Sequence, residues 1–211
     1  NVNTLSQSLT VTVNAVNDAP TQTTAGTVAT VNEDANNATA VALWSTAPVY
    51  GKGGGSDESG QTLSYKITAI PAFITLWKLD GTTAVTANTT VTAAEFAGLK
   101  YKTVADVNGT GNVTFDVIDS GSGTAPSVNT LSSQSVAVTV TAVNDAPVLT
   151  TAGAIATVNE DASNATAVNL WSAAPVYGVG GGSDESTQTL SYKITTIPAF
   201  ILLFKADGTT A

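Results

Sequence analysis

Apolar and polar side chains alternate along several short segments of the chain. Residues 63–67, 113–117 and 136–140 each place a large apolar side chain at every second position, with polar or small residues between them. This period of two residues predicts β-strands that bury one face. Pro71 follows the first of these segments and is expected to end its strand, because proline cannot donate the next ladder hydrogen bond.

Helical spacing is found at residues 92–99. There Phe96 and Leu99 lie three positions apart, and Thr92 and Glu95 have the spacing of a capping box. This segment is therefore predicted to form one short helical turn.

Turn signals separate the predicted strands. Asp80-Gly81 and Asn108-Gly109 predict hairpin turns, and the glycine-rich segment 51–55 predicts a flexible loop. Short strands at regular spacing with almost no helix predict an all-β domain, an antiparallel β-sandwich. The three tryptophans, which lie in apolar runs, are expected to pack in the core rather than to stack on a sugar (Trp44, Trp77 and Trp171).

The chain repeats itself. The segment Val16-Asn17-Asp18-Ala19-Pro20 returns unchanged as Val143-Asn144-Asp145-Ala146-Pro147, an offset of 127 residues, and we call these two segments the joints. Residues 147–211 differ from residues 20–84 at 13 of 65 positions. A fixed period predicts tandem copies of one structural unit.

The repeat defines the expected domains. Residues 20–146 form one complete β-sandwich repeat, and residues 147–211 form the first half of the next. Residues 1–19 are expected to be the last strand of a preceding repeat, because their alternating Leu9, Val11 and Val13 resemble residues 136–140. The incomplete second repeat leaves strand edges whose partner the sequence does not identify. Contact with another molecule, domain swapping and poor order all remain open, and the first two include self-association through this half repeat. Neighbouring repeats of the same protein are expected partners.

Composition removes most enzyme classes. The chain has no histidine and no cysteine, so the usual general bases, thiol nucleophiles and zinc ligands are missing, and we expect it not to be an enzyme. Its net charge of −9 disfavours nucleic acid and anionic membranes and favours a cationic partner. No run of 18 apolar residues is present, so no membrane insertion is expected.

The acidic residues gather at predicted loops and strand ends. Asp80 is explained as a turn residue and Glu95 as a helix cap. The others lie at strand ends and in loops. They include acidic and asparagine residues that a sandwich is expected to bring to one end: Asn17-Asp18, Asn32-Glu33-Asp34, Asp57-Glu58 and Asp119. Calcium takes six to eight oxygen ligands of these types, so Ca²⁺ is the expected partner ion.

A family resemblance accompanies these clusters. The joint Val-Asn-Asp-Ala-Pro, then Val-Asn-Glu-Asp, Ser-Asp-Glu-Ser-Gly-Gln-Thr-Leu-Ser-Tyr-Lys-Ile and Phe-Asp-Val-Ile-Asp resemble a bacterial cadherin-like/Ig-like repeat. Repeats of this family form the extender regions of giant RTX-type adhesins. The resemblance covers the whole repeat and implies an Ig-like/cadherin-like sandwich in an extracellular, cell-surface protein of adhesion, biofilm or surface filaments.

The resemblance also implies calcium ligands at the junctions between domains. These would be the acidic residue after the first strand, the loop acids, the late aspartate and the asparagine and aspartate of each joint. Ser59 and Ser186 stand where the family's loop has its second aspartate, so Glu58 and Glu185 are the candidates to replace it. The implied ligands are Asn17, Asp18, Glu33, Asp57, Glu58 and Asp119, and then Asn144, Asp145, Glu160, Asp184 and Glu185.

Three functions compete at this stage. The first is a structural extender of a bacterial surface adhesin or filament, with joints stiffened by calcium. The second is a glycan-binding or host-surface module, against which the near-identity of the two copies argues. The third is a glycosidase with paired carboxylates such as Asp57 and Glu58, for which no cleft can be inferred.

Overall fold

A computed structural model describes residues 2–161 and 166–210 of the chain. These residues form short strands, one α-helix and one 3₁₀ helix, which confirms the all-β prediction. The strands are β1 (Thr21–Thr24), β2 (Val31–Asn32), β3 (Val41–Ala42), β4 (Val49–Gly51), β5 (Leu63–Ala69), β6 (Ile74–Trp77), β7 (Ala84–Val85), β8 (Thr90–Thr92), β9 (Lys100–Thr103), β10 (Gly109–Asp119), β11 (Thr130–Thr141), β12 (Val148–Thr151), β13 (Ala154–Ile155), β14 (Trp171–Ala173) and β15 (Val176–Gly178). Helix α1 spans Ala93–Ala97, and the 3₁₀ helix spans Ser56–Glu58.

Two compact units make up the chain, Asn1–Ala142 and Val143–Ala211. The first unit contains a five-stranded sheet in the order β2-β11-β10-β5-β8 and a four-stranded sheet in the order β3-β9-β6-β7. Strands β1 and β4 form a separate antiparallel pair. All pairings of the two larger sheets are antiparallel except that of β2 with β11, which is parallel.

One apolar core lies between the two larger sheets of the first unit. Strand β10 contributes Val113, Phe115 and Val117, whose side chains are fully buried. The opposite sheet contributes Leu76 and Tyr101 from β6 and β9. The alternation seen in the sequence is therefore the pattern of inward and outward side chains along each strand.

Aromatic rings fill the centre of this core. The Tyr65 and Phe96 rings stack with centroids 4.0 Å apart, and the Phe96 and Phe115 rings lie 4.8 Å apart. Phe96 comes from α1, which begins with the predicted capping box: Thr92 Oγ1 accepts from the Glu95 N–H, and the Glu95 carboxylate accepts from the Thr92 N–H. Hydrogen bonds from Lys78 and from Thr92 lower the pKa of Glu95 to about 2, so the cap stays ionised near neutral pH.

The N-terminal segment differs from its prediction. Residues 2–20 form no strand, and Val11 is 74% exposed, whereas the similar segment β11 is paired along its length. Strand β11 is held by β10, and β10 is already bonded to β5 on its other side. Among the described residues both edges of β10 are therefore occupied, and β10 has no free edge for the alternating N-terminal residues.

One of the two predicted hairpin turns is confirmed. At Asp80-Gly81 the Lys78 N–H donates to the Thr83 carbonyl over 2.8 Å, and the turn joins the paired strands β6 and β7. The prediction at Asn108-Gly109 is wrong, because the flanking strands β9 and β10 belong to different sheets. This segment is a crossover between the sheets.

The prediction that the tryptophans pack in the core holds for one of the three. Trp44 packs against the core as predicted, with its ring 5.1 Å from that of Phe96 and its Nε1 donating to the Phe96 carbonyl over 2.7 Å. Trp77 lies on the outer face of the four-stranded sheet, and Trp171 in the second unit is exposed. The core prediction is wrong for Trp77 because an apolar run does not reveal which side of a strand faces inward. It is wrong for Trp171 because residues 147–211 contain no counterpart of Phe96, on which the equivalent Trp44 packs.

The second unit reproduces the start of the first. Strand β12 pairs with β15 through Val148↔Gly178, the same register as Thr21↔Gly51 at an offset of 127 residues. Residues 190–204, the counterparts of β5 and β6, form no strand, and several of their large side chains are exposed. In the first unit β5 and β6 pair with β8, β9 and β10, which have no counterpart in the second copy.

Within residues 2–161 and 166–210, no helix has the length and apolar character needed to cross a bilayer.

The central position of Phe115 predicts its effect on stability. Phe115→Ala is expected to lower the free energy of unfolding of the first unit by about 3–5 kcal/mol, because it leaves a cavity in place of a fully buried ring. Val11→Ala in the exposed N-terminal segment is the control and is expected to change it by less than about 0.5 kcal/mol. Denaturant titration measures both, and equal losses would contradict this placement of the core.

Candidate metal-binding site

The first joint packs against the end of β10 at Asp119. Asn17 Nδ2 lies 3.2 Å and 3.3 Å from the two carboxylate oxygens of Asp119 and donates a further bond of 2.7 Å to the Val128 carbonyl. The Asp119 carboxylate also accepts from the Gly121 N–H over 2.7 Å. The joint is therefore attached to the strand end by side-chain hydrogen bonds. We call this region of the first unit the Asp119 end.

Glu58 lies buried in the same region. It ends the 3₁₀ helix and is buried, with 2% of its surface exposed. Its Oε1 accepts from the backbone N–H of Asp18, and the neighbouring Gln61 donates through Nε2 to Asn17 Oδ1. Two residues of the joint are thus bound to the loop that precedes β5.

The glycine-rich loop closes over Asp18 and Glu58. Gly53 has a φ of +115°, and a Cβ built there would lie 2.5 Å from the Asp18 carbonyl oxygen and closer still to the Glu58 carboxylate. A Cβ at Gly54 would meet the Asp18 carboxylate. The loop was predicted to be flexible, but the close approach of the joint to its backbone requires glycine here.

Two buried oxygen atoms at the Asp119 end have no hydrogen-bond partner among the described residues. They are Glu58 Oε2 and Gln61 Oε1. A buried carboxylate without a compensating cation is costly, so this arrangement requires explanation. Lys52 does not supply the cation, since its ammonium group donates to the Ser59 carbonyl over 2.7 Å and valine stands at the equivalent position 179.

The second unit repeats this arrangement. Glu185 is fully buried, its Oε1 accepts from the Asp145 N–H, and its Oε2 has no hydrogen-bond partner in the described part of the chain. Gly180, which corresponds to Gly53, has a φ of +130° and faces Glu185 and Asp145 in the same way. Two copies of the sequence therefore fold to one local geometry around a buried glutamate.

Glu33 does not belong with these residues, so the prediction that the clusters meet at one end is wrong. Its N–H donates to the Thr141 carbonyl over 2.9 Å, and its carboxylate accepts from Asn108 Nδ2 over 3.3 Å. This is the end of the unit where β11 finishes and β10 begins. The eleven residues of β10 separate it from the Asp119 end by about 34 Å at the usual strand rise.

A second acidic group accompanies Glu33 at this far end. The Asp106 N–H donates to the Asp34 carboxylate over 3.0 Å, and carboxylate oxygens of the two residues lie within 4.8 Å of each other. Asp34 has a φ of 62° and Asp106 a φ of 56°, both in the left-handed region that asparagine and aspartate tolerate.

The remaining predicted ligands differ in burial and in hydrogen bonding. Asp57 is exposed on the 3₁₀ helix, one residue from the buried Glu58. In the second unit Asp184 is half-buried beside Glu185, and Asn144 Nδ2 donates to the Asp145 carbonyl over 3.0 Å. Glu160 is exposed in a turn, unlike its buried counterpart Glu33.

Gln61 and Gly53 are functional candidates that the sequence analysis missed. Gln61 lies three residues after Glu58 in both copies, and the glycine run is also repeated without change at 53–55 and 180–182. Identity between copies in a loop was the available signal, because loops normally tolerate substitution.

The Asp119 end fits a calcium ion by the chemistry of its donors. Its candidate ligand atoms are the carboxylate oxygens of Asp18, Glu58 and Asp119 and the amide oxygens of Asn17 and Gln61. Calcium takes six to eight such oxygens, and the two unpartnered buried atoms are of this kind. The far end also has three carboxylates, those of Glu33, Asp34 and Asp106, but Glu33 already accepts from Asn108 and Asp34 from the Asp106 N–H.

No protein-family profile, curated protein or solved structure gives a significant match to this chain.

Gly53 and Gly60 provide a matched test of the loop. Gly53→Ala is expected to lower the free energy of unfolding by more than about 1 kcal/mol, because the added Cβ meets Asp18 and the positive φ disfavours alanine. Gly60→Ala, where nothing lies within 4 Å of the new Cβ, is expected to change it by less than about 0.5 kcal/mol. Thermal unfolding of both variants checks this, and a harmless Gly53→Ala would mean that the loop does not close on the joint.

Proposed function

We propose that this chain is a structural extender segment of a bacterial cell-surface adhesin or surface filament. Its units are tandem 127-residue repeats with an Ig-like/cadherin-like β-sandwich fold, and calcium stiffens the joints between them. The protein acts outside the cell and is not an enzyme. Its partners are neighbouring repeats of the same protein and calcium ions.

The buried glutamate beside each joint carries this proposal. Glu58 and Glu185 are both buried, both accept from the N–H of the joint aspartate, and both keep one oxygen that has no hydrogen-bond partner within residues 2–161 and 166–210. A chain that only needed a stable loop gains nothing from burying a carboxylate, because an apolar or amide side chain of similar size avoids the desolvation cost. A cation bound at this oxygen explains why the carboxylate is present.

The position of this site explains what the ion does. Asn17 and Asp18 belong to the joint, whereas Glu58 precedes β5 and Asp119 ends β10. Calcium supplies positive charge and multiple oxygen coordination at one point. Bound there, it neutralises the carboxylates of Asp18, Glu58 and Asp119 and attaches the joint to the sheets, so bending of the joint breaks metal–ligand bonds.

The remaining features suit an extender better than a singular binding domain. The two copies differ at 13 of 65 positions, and the joint itself is unchanged between them. Repetition of one unit adds length rather than a new specificity. The net charge of −9 keeps such an array from associating with itself until cations bind.

Calcium binding is the decisive test. Isothermal titration of the full chain, freed of metal with EDTA, is expected to show saturable calcium binding. At free calcium a hundredfold above the Kd, a single site is expected to add about 2.7 kcal/mol to the free energy of unfolding. Absence of binding, or an identical melting temperature with calcium and with EDTA, would contradict the proposal.

Glu58→Gln separates a ligand from a structural glutamate. The variant is expected to lower calcium affinity about tenfold or more while making the metal-free protein equally or more stable, because the buried charge is removed. Asp57→Asn is the control with the same loss of one charge at an exposed neighbour and is expected to alter affinity by less than about threefold. Equal effects of the two variants would indicate general electrostatics instead of coordination.

Joint stiffness is a separate expectation. Small-angle scattering of the full chain is expected to report a larger maximum dimension with calcium than with EDTA, since metal-free carboxylates repel and leave a hinge. If the protein binds calcium but its maximum dimension does not change, the calcium site is supported and the mechanical role is rejected.

A further inference from the structure

The outer face of the four-stranded sheet carries an aromatic and basic group of side chains. Thr75 and Trp77 lie on β6, and Lys100 and Lys102 lie opposite them on β9, in the register Thr75↔Lys102 and Trp77↔Lys100. Their neighbours along the strands, such as Leu76 and Tyr101, point into the core. We call Thr75, Trp77, Lys100 and Lys102 the Trp77 face.

The Trp77 ring is held in place on this face. The Lys102 ammonium lies 4.8 Å from the ring centroid, a cation–π contact, and Trp77 Nε1 donates to Thr75 Oγ1 over 3.0 Å. A partly exposed tryptophan with both its ring and its N–H engaged has little side-chain freedom left to lose. Such a side chain binds a partner at low entropic cost.

The positive charges of the two lysines are not neutralised by ion pairs with described residues. The chain has seven basic residues against sixteen acids, and Lys100 and Lys102 stand two residues apart on one strand face. Among the described residues neither lysine forms an ion pair, whereas Lys78 pairs with Glu95. Asp80, at the nearby hairpin turn, accepts hydrogen bonds from the Thr82 and Thr83 N–H groups and the Thr83 hydroxyl.

A groove adjoins the same tryptophan. It has a volume of about 510 Å³ and is lined by Thr75 and Trp77 on β6, by Ala84 on β7, and by Pro71 and Thr86 beside these strands. Larger apolar residues, among them Ile70, Ile74 and Val85, also line it. Its size is within the range of small-ligand sites.

We propose that the Trp77 face binds acidic polysaccharide, in which sugar rings carry carboxylates. A sugar ring presents an apolar C–H face to the tryptophan and the groove, and its carboxylate pairs with the ammonium groups of Lys100 and Lys102. This function goes beyond that of an extender and does not depend on calcium at the Asp119 end, which is built from other residues.

Charge and shape favour this occupant over two others. A neutral sugar would gain no charge attraction from the two lysines, and an acidic peptide would leave the ring and the apolar groove without a matching flat surface. The rest of the chain is acidic, so a polyanion is attracted to this face and repelled elsewhere. The site is therefore local although the net charge opposes binding.

The test uses short oligogalacturonate with the full chain in EDTA, so that calcium cannot bridge the ligand to the protein. Titration followed by tryptophan fluorescence and calorimetry is expected to show saturable binding that weakens as salt rises. The methyl-esterified oligomer, which has the same sugar without the charge, is expected not to bind. Equal binding of both oligomers, or of neither, would overturn the proposal.

Variants locate the site. Trp77→Ala is expected to weaken binding about tenfold or more, as loss of an aromatic anchor does at binding sites. Trp77→Phe, the residue at the equivalent position 204, is expected to retain most of it. Lys102→Gln is expected to weaken binding, while Lys66→Gln on β5 removes the same charge from the other sheet and is expected to have no effect.

The outcomes are distinguishable from nonspecific attraction. If Lys66→Gln weakens binding as much as Lys102→Gln, the interaction is general electrostatics and the site is rejected. If polyglutamate of matched charge competes as well as oligogalacturonate, the partner is an acidic polypeptide and the sugar assignment is wrong. The outer position of Trp77 makes these substitutions compatible with folding, which the melting temperature of each variant checks.

Discussion

The pairing of β10 with both β11 and β5 is the constraint on which the first unit depends. It places an eleven-residue strand in the middle of the larger sheet and buries Val113, Phe115 and Val117 against the opposite sheet. Because the strand spans the first unit, its ends define the two ends of that unit. Asp119 lies at the end next to the first joint. Asn108 lies at the opposite end, just before β10 begins, and is hydrogen-bonded to Glu33.

The Asp119 end combines segments that are far apart in sequence around one buried charge. Asn17 and Asp119 are 102 residues apart, and Asp18 and Glu58 are 40 apart. The glycine backbone at 53–55 allows Asp18 to approach, so the loop and the joint depend on each other. The Trp77 face has a different origin: it lies on regular strands, where alternation alone determines which side chains face outward.

Local patterns in the sequence predicted the regular parts of the fold. The alternating segments became β5, β10 and β11, and the capping box of α1 formed as expected. Two kinds of prediction failed because they depend on partners that lie far away in sequence. Residues 2–16 have the alternation of β11 but no β10 to pair with, and Glu33 has the composition of the other acidic clusters but lies at the opposite end. For the candidate site, Asn17, Asp18, Glu58 and Asp119 were predicted from residue type, whereas the uncharged Gln61 and Gly53 were missed although both are repeated in the second copy.

The parallel contact between β2 and β11 has a mechanical consequence. The chain reaches Val31 soon after the first joint and leaves the unit just after Thr141, and these two segments run side by side in the same direction. Tension that pulls the two chain ends apart drives β2 and β11 past each other along their length. The bonds between them, including that from the Glu33 N–H to the Thr141 carbonyl, then carry load together instead of opening in sequence. A unit strained in this shear geometry resists rupture through its rate of unfolding, which can be high or low independently of its equilibrium stability.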